Sequence, residues 1–396
     1  MRKSDVISFP VLLLFMLSFF LGTSEFIIVG ILPEIADGLG VSLATAGTAV
    51  SVFAFAYAIG TPLFSAYAGR YDRKTFMLAC VVLFIAFNIL CGLATSYALF
   101  IICRLVLAIL SGTIISLSMA YADALANGDK KAQVISLVFT GFSAASVFGV
   151  PIASGLSQIA GWRTVFIIVA LMTAILLPLM KISLPHGQQE KSESVIHQLR
   201  LFTNRKIILG LLAVIFSAAG TYAFYTYFTP FLQEEFGIGE SHLSIALFLY
   251  GIAALASNLL SGHIAKKRML CQMSPIFLIQ AFFLALLSIA TATGNTIIAF
   301  VDILAIGVMM YLVNSPSQLF FLSTVTRENS DCISLAASLS PVCFNPGIAM
   351  GSSYGSLGMD KAGFGLLGPA GAIFAILAAT STIILKALEK KSLNKE

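Results

Sequence analysis

At 396 residues, 58% of them hydrophobic and 10% charged, with a mean hydropathy of +0.96, the chain carries more apolar surface than a soluble fold can hide; soluble domains hold roughly 25% charged residues. The net charge of +5 does not point to nucleic acid: all but Arg104, Arg163 and Lys361 of the 23 lysines and arginines fall in alternate loops and tails, a bias that places both termini in the cytoplasm. The six cysteines (Cys80, Cys91, Cys103, Cys271, Cys332, Cys343) show no CxxC pair or metal spacing, and no GxxxxGK phosphate loop is present, so no metal, cofactor or ATPase domain is expected.

Apolar stretches long enough to cross a hydrocarbon core of roughly 30 Å recur along the whole length. The first runs from Phe9 to Leu32; it is too long for a signal-peptide core and lacks a small-residue cleavage site, so it reads as a retained span. Spans 2 to 6 follow at Leu43 to Ala66, Thr75 to Ala94, Tyr97 to Ala122, Val134 to Ile159 and Val165 to Leu184. A polar break from Pro185 to Lys206 reads as a cytoplasmic linker whose second half is suited to a short surface helix. Spans 7 to 12 are Ile207 to Leu232, Leu243 to Ile264, Ser274 to Ala292, Thr296 to Leu322, Ile333 to Leu357 and Gly363 to Leu385. The expectation is an all-α membrane protein of twelve transmembrane helices in two pseudo-symmetric six-helix bundles, residues 1–184 and 207–396, joined by 185–206.

The two halves repeat. Shifted by roughly 197–198 residues, Pro33 meets Pro230, Gly40 meets Gly237, Arg70 meets Lys267, Ala94 and Thr95 meet Ala292 and Thr293, and Gly149 meets Gly347. A parallel six-helix repeat is an architecture of secondary transporters, with the solute site between the halves near mid-membrane.

Ionisable residues in hydrocarbon are costly and face a cavity or a partner, which singles out Glu25, Arg104 and Asp302. Counted from the outer ends of spans 1, 4 and 10, each lies about 9–10 Å deep at 1.5 Å per residue. Glu25 and Arg104 are therefore placed to pair. In the repeat Arg104 superposes on Asp302 and Glu25 on Tyr222, so spans 1, 4, 7 and 10 carry polar residues at corresponding places. Burial favours a neutral carboxyl and a guanidinium favours a charged one, so such a pair can take up and release a proton; a permanent packing ion pair is the plainer alternative.

Span 7 contains GTYAFYTYFTPF, in which Tyr222, Tyr225, Thr226 and Thr229 share one helical face. Phenols and hydroxyls beside rings suit a planar or amphipathic organic solute, and equally an interfacial aromatic belt. Gly347, Gly351 and Gly355 on span 11, and Ala145, Gly149 and Ala153 on span 5, are spaced for close helix packing, with Gly149 and Ala153 meeting Gly347 and Gly351 in the repeat, and Pro151 and Pro346 are placed for kinks. The four histidines lie in or beside loops, so no buried nucleophile pair supports an enzyme.

Four stretches carry a family resemblance. GTSEFIIVGILPEIA, SAYAGRYDRKTFML with Arg70, Arg73 and Lys74 in its cationic places, the Arg104 to Gly112 segment, and GFSAASVFGVPIASG followed by GWR together resemble the major facilitator superfamily. Within it they are similar to the twelve-span drug:proton antiporters of the arabinose-efflux and purine-efflux branch. Gly69 stands where the loop motif usually has an acid, and Ala108 where a glycine is usual. The resemblance implies proton-coupled efflux of small organic solutes (drugs, purines or nucleosides, sugars) by alternating access. Glu25 would be the protonatable group and Arg104 its modulator; Arg70, Arg73, Lys74, Gly149, Pro151, Gly347 and Gly351 would serve gating and packing. The expected partners are solute, protons and the lipid bilayer, with no nucleic acid, and the expected setting is a bacterial inner membrane with the chain acting as a monomer. A proton symporter or a passive facilitator shares most of these features.

Overall fold

The computed structural model describes residues 8–68, 71–125, 130–186, 203–266, 269–328 and 333–393. Arg70 and most of the expected linker, including the surface-helix segment, lie outside them. The fold is all-helical, and eleven helices among the described residues are long and apolar enough to span a bilayer. They coincide with every expected span except the eleventh, where a 30-residue helix, Ile333–Ala362, stands.

In chain order the membrane helices are α1 (Phe9–Gly30, resumed as Leu32–Leu39), α2 (Leu43–Ala68), α3 (Arg73–Gly92), α4 (Tyr97–Leu125), α5 (Lys130–Ala144, continued as Val150–Ala160) and α6 (Trp162–Ser183). The second set is α7 (Arg205–Tyr225, resumed as Phe228–Phe236), α8 (Glu240–Ala265), α9 (Ser274–Thr293), α10 (Thr296–Met309, resumed as Asn314–Glu328), α11 (Ile333–Ala362) and α12 (Leu367–Leu393). Their ends are set by local chemistry. Asp72 caps α3 by accepting from the Thr75 amide at 3.0 Å, Asn204 caps α7, and Asn295 caps α10 through the amides of Ile297 and Ile298. Gly294 ends α9 in the left-handed region, φ 61°, where a side chain would be strained.

Four helices are interrupted, each beside a proline, which lacks an N–H and crowds the carbonyl four residues back. Pro33 follows the break at Ile31, Pro230 the break at Thr226–Tyr227, and Pro316 the unwound stretch from Met310 to Val313; Pro151 follows a wider π turn at Ala145–Gly149. Spans 1, 7 and 10, expected as single helices, are therefore each two.

Contacts divide the chain into two compact units. The first comprises Met1–Ser42, Phe55–Ser192 and Glu240–Phe248, the second Leu43–Ala54, Glu193–Gly239 and Leu249–Glu396. In the first, α5 crosses α1 at close range: a Cβ on Gly141 would stand 2.3 Å from the Phe15 carbonyl oxygen. In the second, Gly347, Gly351 and Gly355 of α11 ride on the main chain of Ile215, Ala219 and Ala223 of α7, where added Cβ atoms would come within 2.3–2.4 Å of the carbonyl oxygens. The second unit also holds the Leu43 end of α2 against α11: Ser51 and Ser352 share a 2.9 Å hydrogen bond, and Ser356 donates to the Ala44 carbonyl at 3.0 Å.

The broken α10 shows how such a chain survives without water. Pro316 cannot donate to the Leu312 carbonyl, and the Ser261 hydroxyl of α8 donates to it instead at 3.0 Å while accepting from the Ser315 amide at 2.8 Å. One turn away Ser257 accepts from the Tyr311 amide at 2.8 Å. Ser261→Ala would strip both main-chain groups of this partner, at roughly 1–3 kcal/mol per unsatisfied group. The purified variant should melt below the wild type, and Ser315→Ala, which keeps the amide, should not; equal melting of Ser261→Ala and wild type would refute the role.

Candidate functional site

Glu25 and Arg104 come together in the first unit. Arg104 is fully buried and donates from Nη1 to the main-chain oxygen of Ser24 at 2.5 Å and from Nη2 to that of Glu25 at 3.1 Å. The guanidinium fork thus clasps two successive carbonyls of α1, a geometry that charge-proximity reasoning alone does not anticipate. The Glu25 side chain is 9% exposed, and its Oε2 has no hydrogen-bond partner among the described residues. Tyr57 of α2 lies within electrostatic reach of it.

The floor of this site is polar but uncharged. Ser24 donates to Asn88 Oδ1 of α3 at 2.9 Å, and Asn88 in turn donates to the Phe84 carbonyl at 2.9 Å. The second unit repeats the device: Gln280 of α9 donates to Thr221 Oγ1 at 2.9 Å and to the Ser217 carbonyl at 3.1 Å. Thr221 is the repeat mate of Ser24. Sequence reading that ranked only ionisable residues missed Asn88 and Gln280, although an amide in an apolar span carries the same warning.

The predicted face of α7 is buried inside the second unit. Tyr225 stacks on Tyr250 of α8 with ring centroids 4.9 Å apart and planes 13° from parallel, and meets Tyr222 edge-on at 5.5 Å. Thr226 donates to the Tyr222 carbonyl at 2.9 Å, across the break in α7, and Thr229 is fully buried. Tyr250 also donates to Met310 Sδ at 3.8 Å, where α10 unwinds. Asp302 belongs to this unit too, 1% exposed.

Of the basic loop residues, Arg73 donates to the Ala120 carbonyl of α4 at 2.9 Å and lies 5.5 Å from the Tyr121 ring, while Lys74 is buried. Gly149 of α5 closes on Thr23 of α1: a Cβ there would stand 2.3 Å from the threonine hydroxyl. Pro151 follows that contact directly. At the far end of the first unit Arg163, part of the GWR segment, donates to the Ala94 carbonyl at 3.2 Å and stacks on Trp162 at 4.3 Å. Burial pushes the Cys271 thiol, in the turn between α8 and α9, up to about 12, so it stays protonated and inert.

The profile described as Major Facilitator Superfamily matches residues 14–351. The MFS-type transporter YtbD of Bacillus subtilis is 29% identical over 365 residues, 92% of each chain. A chloramphenicol resistance protein of Streptomyces lividans is 29% identical over 339 residues, 84% of each. Among solved structures, a D-xylose–proton symporter superposes with a TM-score of 0.74 at 15% identity, covering 94% of this chain and 96% of its own.

The forked contact of Arg104 yields a test. An ammonium is a point charge that cannot replace a planar fork on two carbonyls, so Arg104→Lys should lose at least one charge-assisted bond, worth about 1.5–3 kcal/mol. Thermal unfolding of the purified variant should fall accordingly; a lysine variant as stable as the wild type would mean that the fork does not hold α1.

Proposed function

Since the chain belongs to the major facilitator superfamily, and is thus a multi-span membrane transporter, we propose that it exports small organic solutes in exchange for protons. The observation that carries this reading is the Glu25–Arg104 arrangement: a buried carboxyl with an open oxygen, beside a guanidinium tied to the main chain. Because two carbonyls of α1 hold the arginine, the carboxyl can change charge without the arginine leaving. A proton on Glu25 leaves the local charge at +1, and its loss returns that charge to zero. Such a change is the physical requirement for coupling a proton to a conformational step.

Export rather than uptake is supported by the helix 5 segment GFSAASVFGVPIASG, by the drug:proton antiporter resemblance, and by the likeness to a chloramphenicol resistance protein. Tyr222, Tyr225, Thr226 and Thr229 are the proposed solute contacts, with Arg73, Lys74, Gly149, Pro151, Gly347 and Gly351 serving the moving helix contacts. The charge asymmetry of the loops and the bacterial relatives support an inner-membrane setting with both termini cytoplasmic.

A thermal-shift screen of the purified protein against chloramphenicol, nucleosides and sugars identifies a cargo. In inverted vesicles that cargo should then release protons from wild type, while Glu25→Gln should keep the thermal shift and lose gradient-driven movement. Gradient-driven export by Glu25→Gln would exclude Glu25 as the coupling group.

A further inference from the structure

We infer that Asp302 is a second proton-binding site, seated in the second unit and independent of Glu25 and Arg104. Asp302 is 1% exposed, and neither Oδ1 nor Oδ2 has a hydrogen-bond partner among the described residues. A carboxylate so placed would have neither a donor nor a counter-charge, a state the interior does not tolerate. A bound proton removes the charge.

Among the described residues, Glu240–Ala265, Ser274–Thr293 and Thr296–Met309 contain no lysine or arginine to serve as a counter-charge. From Ser274 to Thr293, α9 contains no titratable side chain, and from Thr296 to Met309, α10 contains only Asp302 itself. On α8 the titratable residues are Glu240, His242, Tyr250 and His263. Tyr250 is the one set against the middle of α10: a Cβ on Gly307 would lie 3.2 Å from its ring, and its hydroxyl reaches Met310. Glu240 and His242 sit at the start of α8, and His263 near its end.

The repeat sharpens the assignment. The position that holds a fixed positive charge in the first unit, Arg104, holds in the second a group whose only way to become uncharged is to accept a proton. The guanidinium reaches α1 carbonyls, whereas the shorter carboxyl has no corresponding contact to α7, where the Tyr222 carbonyl is already taken by Thr226. The proton is drawn from water as Asp302 is protonated and returned to water when it ionises.

Infrared difference spectroscopy of the purified full-length protein between acid and alkaline buffer reads protonated carboxyl groups directly and needs neither solute nor gradient. It can therefore succeed even if the exporter reading fails. Wild type should show a carboxylic-acid band that disappears reversibly as pH rises. The Asp302 component of that band should be missing in Asp302→Asn, present at a displaced frequency in Asp302→Glu, and retained in Glu25→Gln, which removes only the Glu25 component. Gel filtration identifies folded variants, and Asp302→Glu serves if the asparagine variant does not fold. A band that Asp302→Asn leaves at full size, one that no pH removes while the protein stays folded, or one abolished at fixed pH by sodium chloride would each overturn the proposal, the last by making the site one for a metal cation.

Discussion

Main-chain carbonyls inside a bilayer have no water to bond to, and much of what is distinctive in this chain follows from that constraint. Side chains add donors to main-chain carbonyls along helix walls, at helix ends and at one helix break. Arg104 covers Ser24 and Glu25, Ser261 covers Leu312, Gln280 covers Ser217, Arg73 covers Ala120, Arg163 covers Ala94, and Ser356 covers Ala44. Polar residues that look like isolated anomalies in an apolar sequence are thereby fixed in place by the backbone. The same bonds make helix breaks affordable, because a proline that removes one donor is tolerated where a serine replaces it.

The repeat gives this constraint a second reading. Both units press a small-residue helix against their first helix, α5 on α1 and α11 on α7, and both tie that first helix to the third with an amide, Asn88 or Gln280. These shared features hold the bundle and tolerate little change in size. Where the halves differ, they differ in charge: Glu25 faces Tyr222 in the alignment and Arg104 faces Asp302. Packing sets the resemblance between the units, and chemistry sets the departures from it.

The spans were legible because twenty apolar residues in a row admit one interpretation, and most ends fell within a few residues of their caps. That Glu25 and Arg104 lie near each other was legible from depth alone. What depth could not show is that the guanidinium donates to the α1 main chain, since that depends on local backbone geometry. The splitting of spans 1, 7 and 10 was written in Pro33, Pro230 and Pro316, yet proline is common enough in membrane helices that its effect depends on what lies opposite. The Tyr225–Tyr250 stack joins residues from different helices and leaves no periodic trace. Asn88, Gln280, Ser257 and Ser261 went unmarked because neutral side chains do not stand out by charge.

The two carboxyls are electrically complementary rather than redundant. With Arg104 fixed beside it, the Glu25 site is uncharged when Glu25 is ionised; with no such neighbour, the Asp302 site is uncharged when Asp302 is protonated. Adding a proton to the first creates a positive site, and removing one from the second creates a negative one. In a low-dielectric interior either charge raises the energy of the state that holds it until a solute, water or a helix movement relieves it. On the two proposals made above, units built on one plan, with a guanidinium in one and a carboxyl in its place in the other, would answer a proton with charges of opposite sign. Proton movement would then bias the two halves unequally.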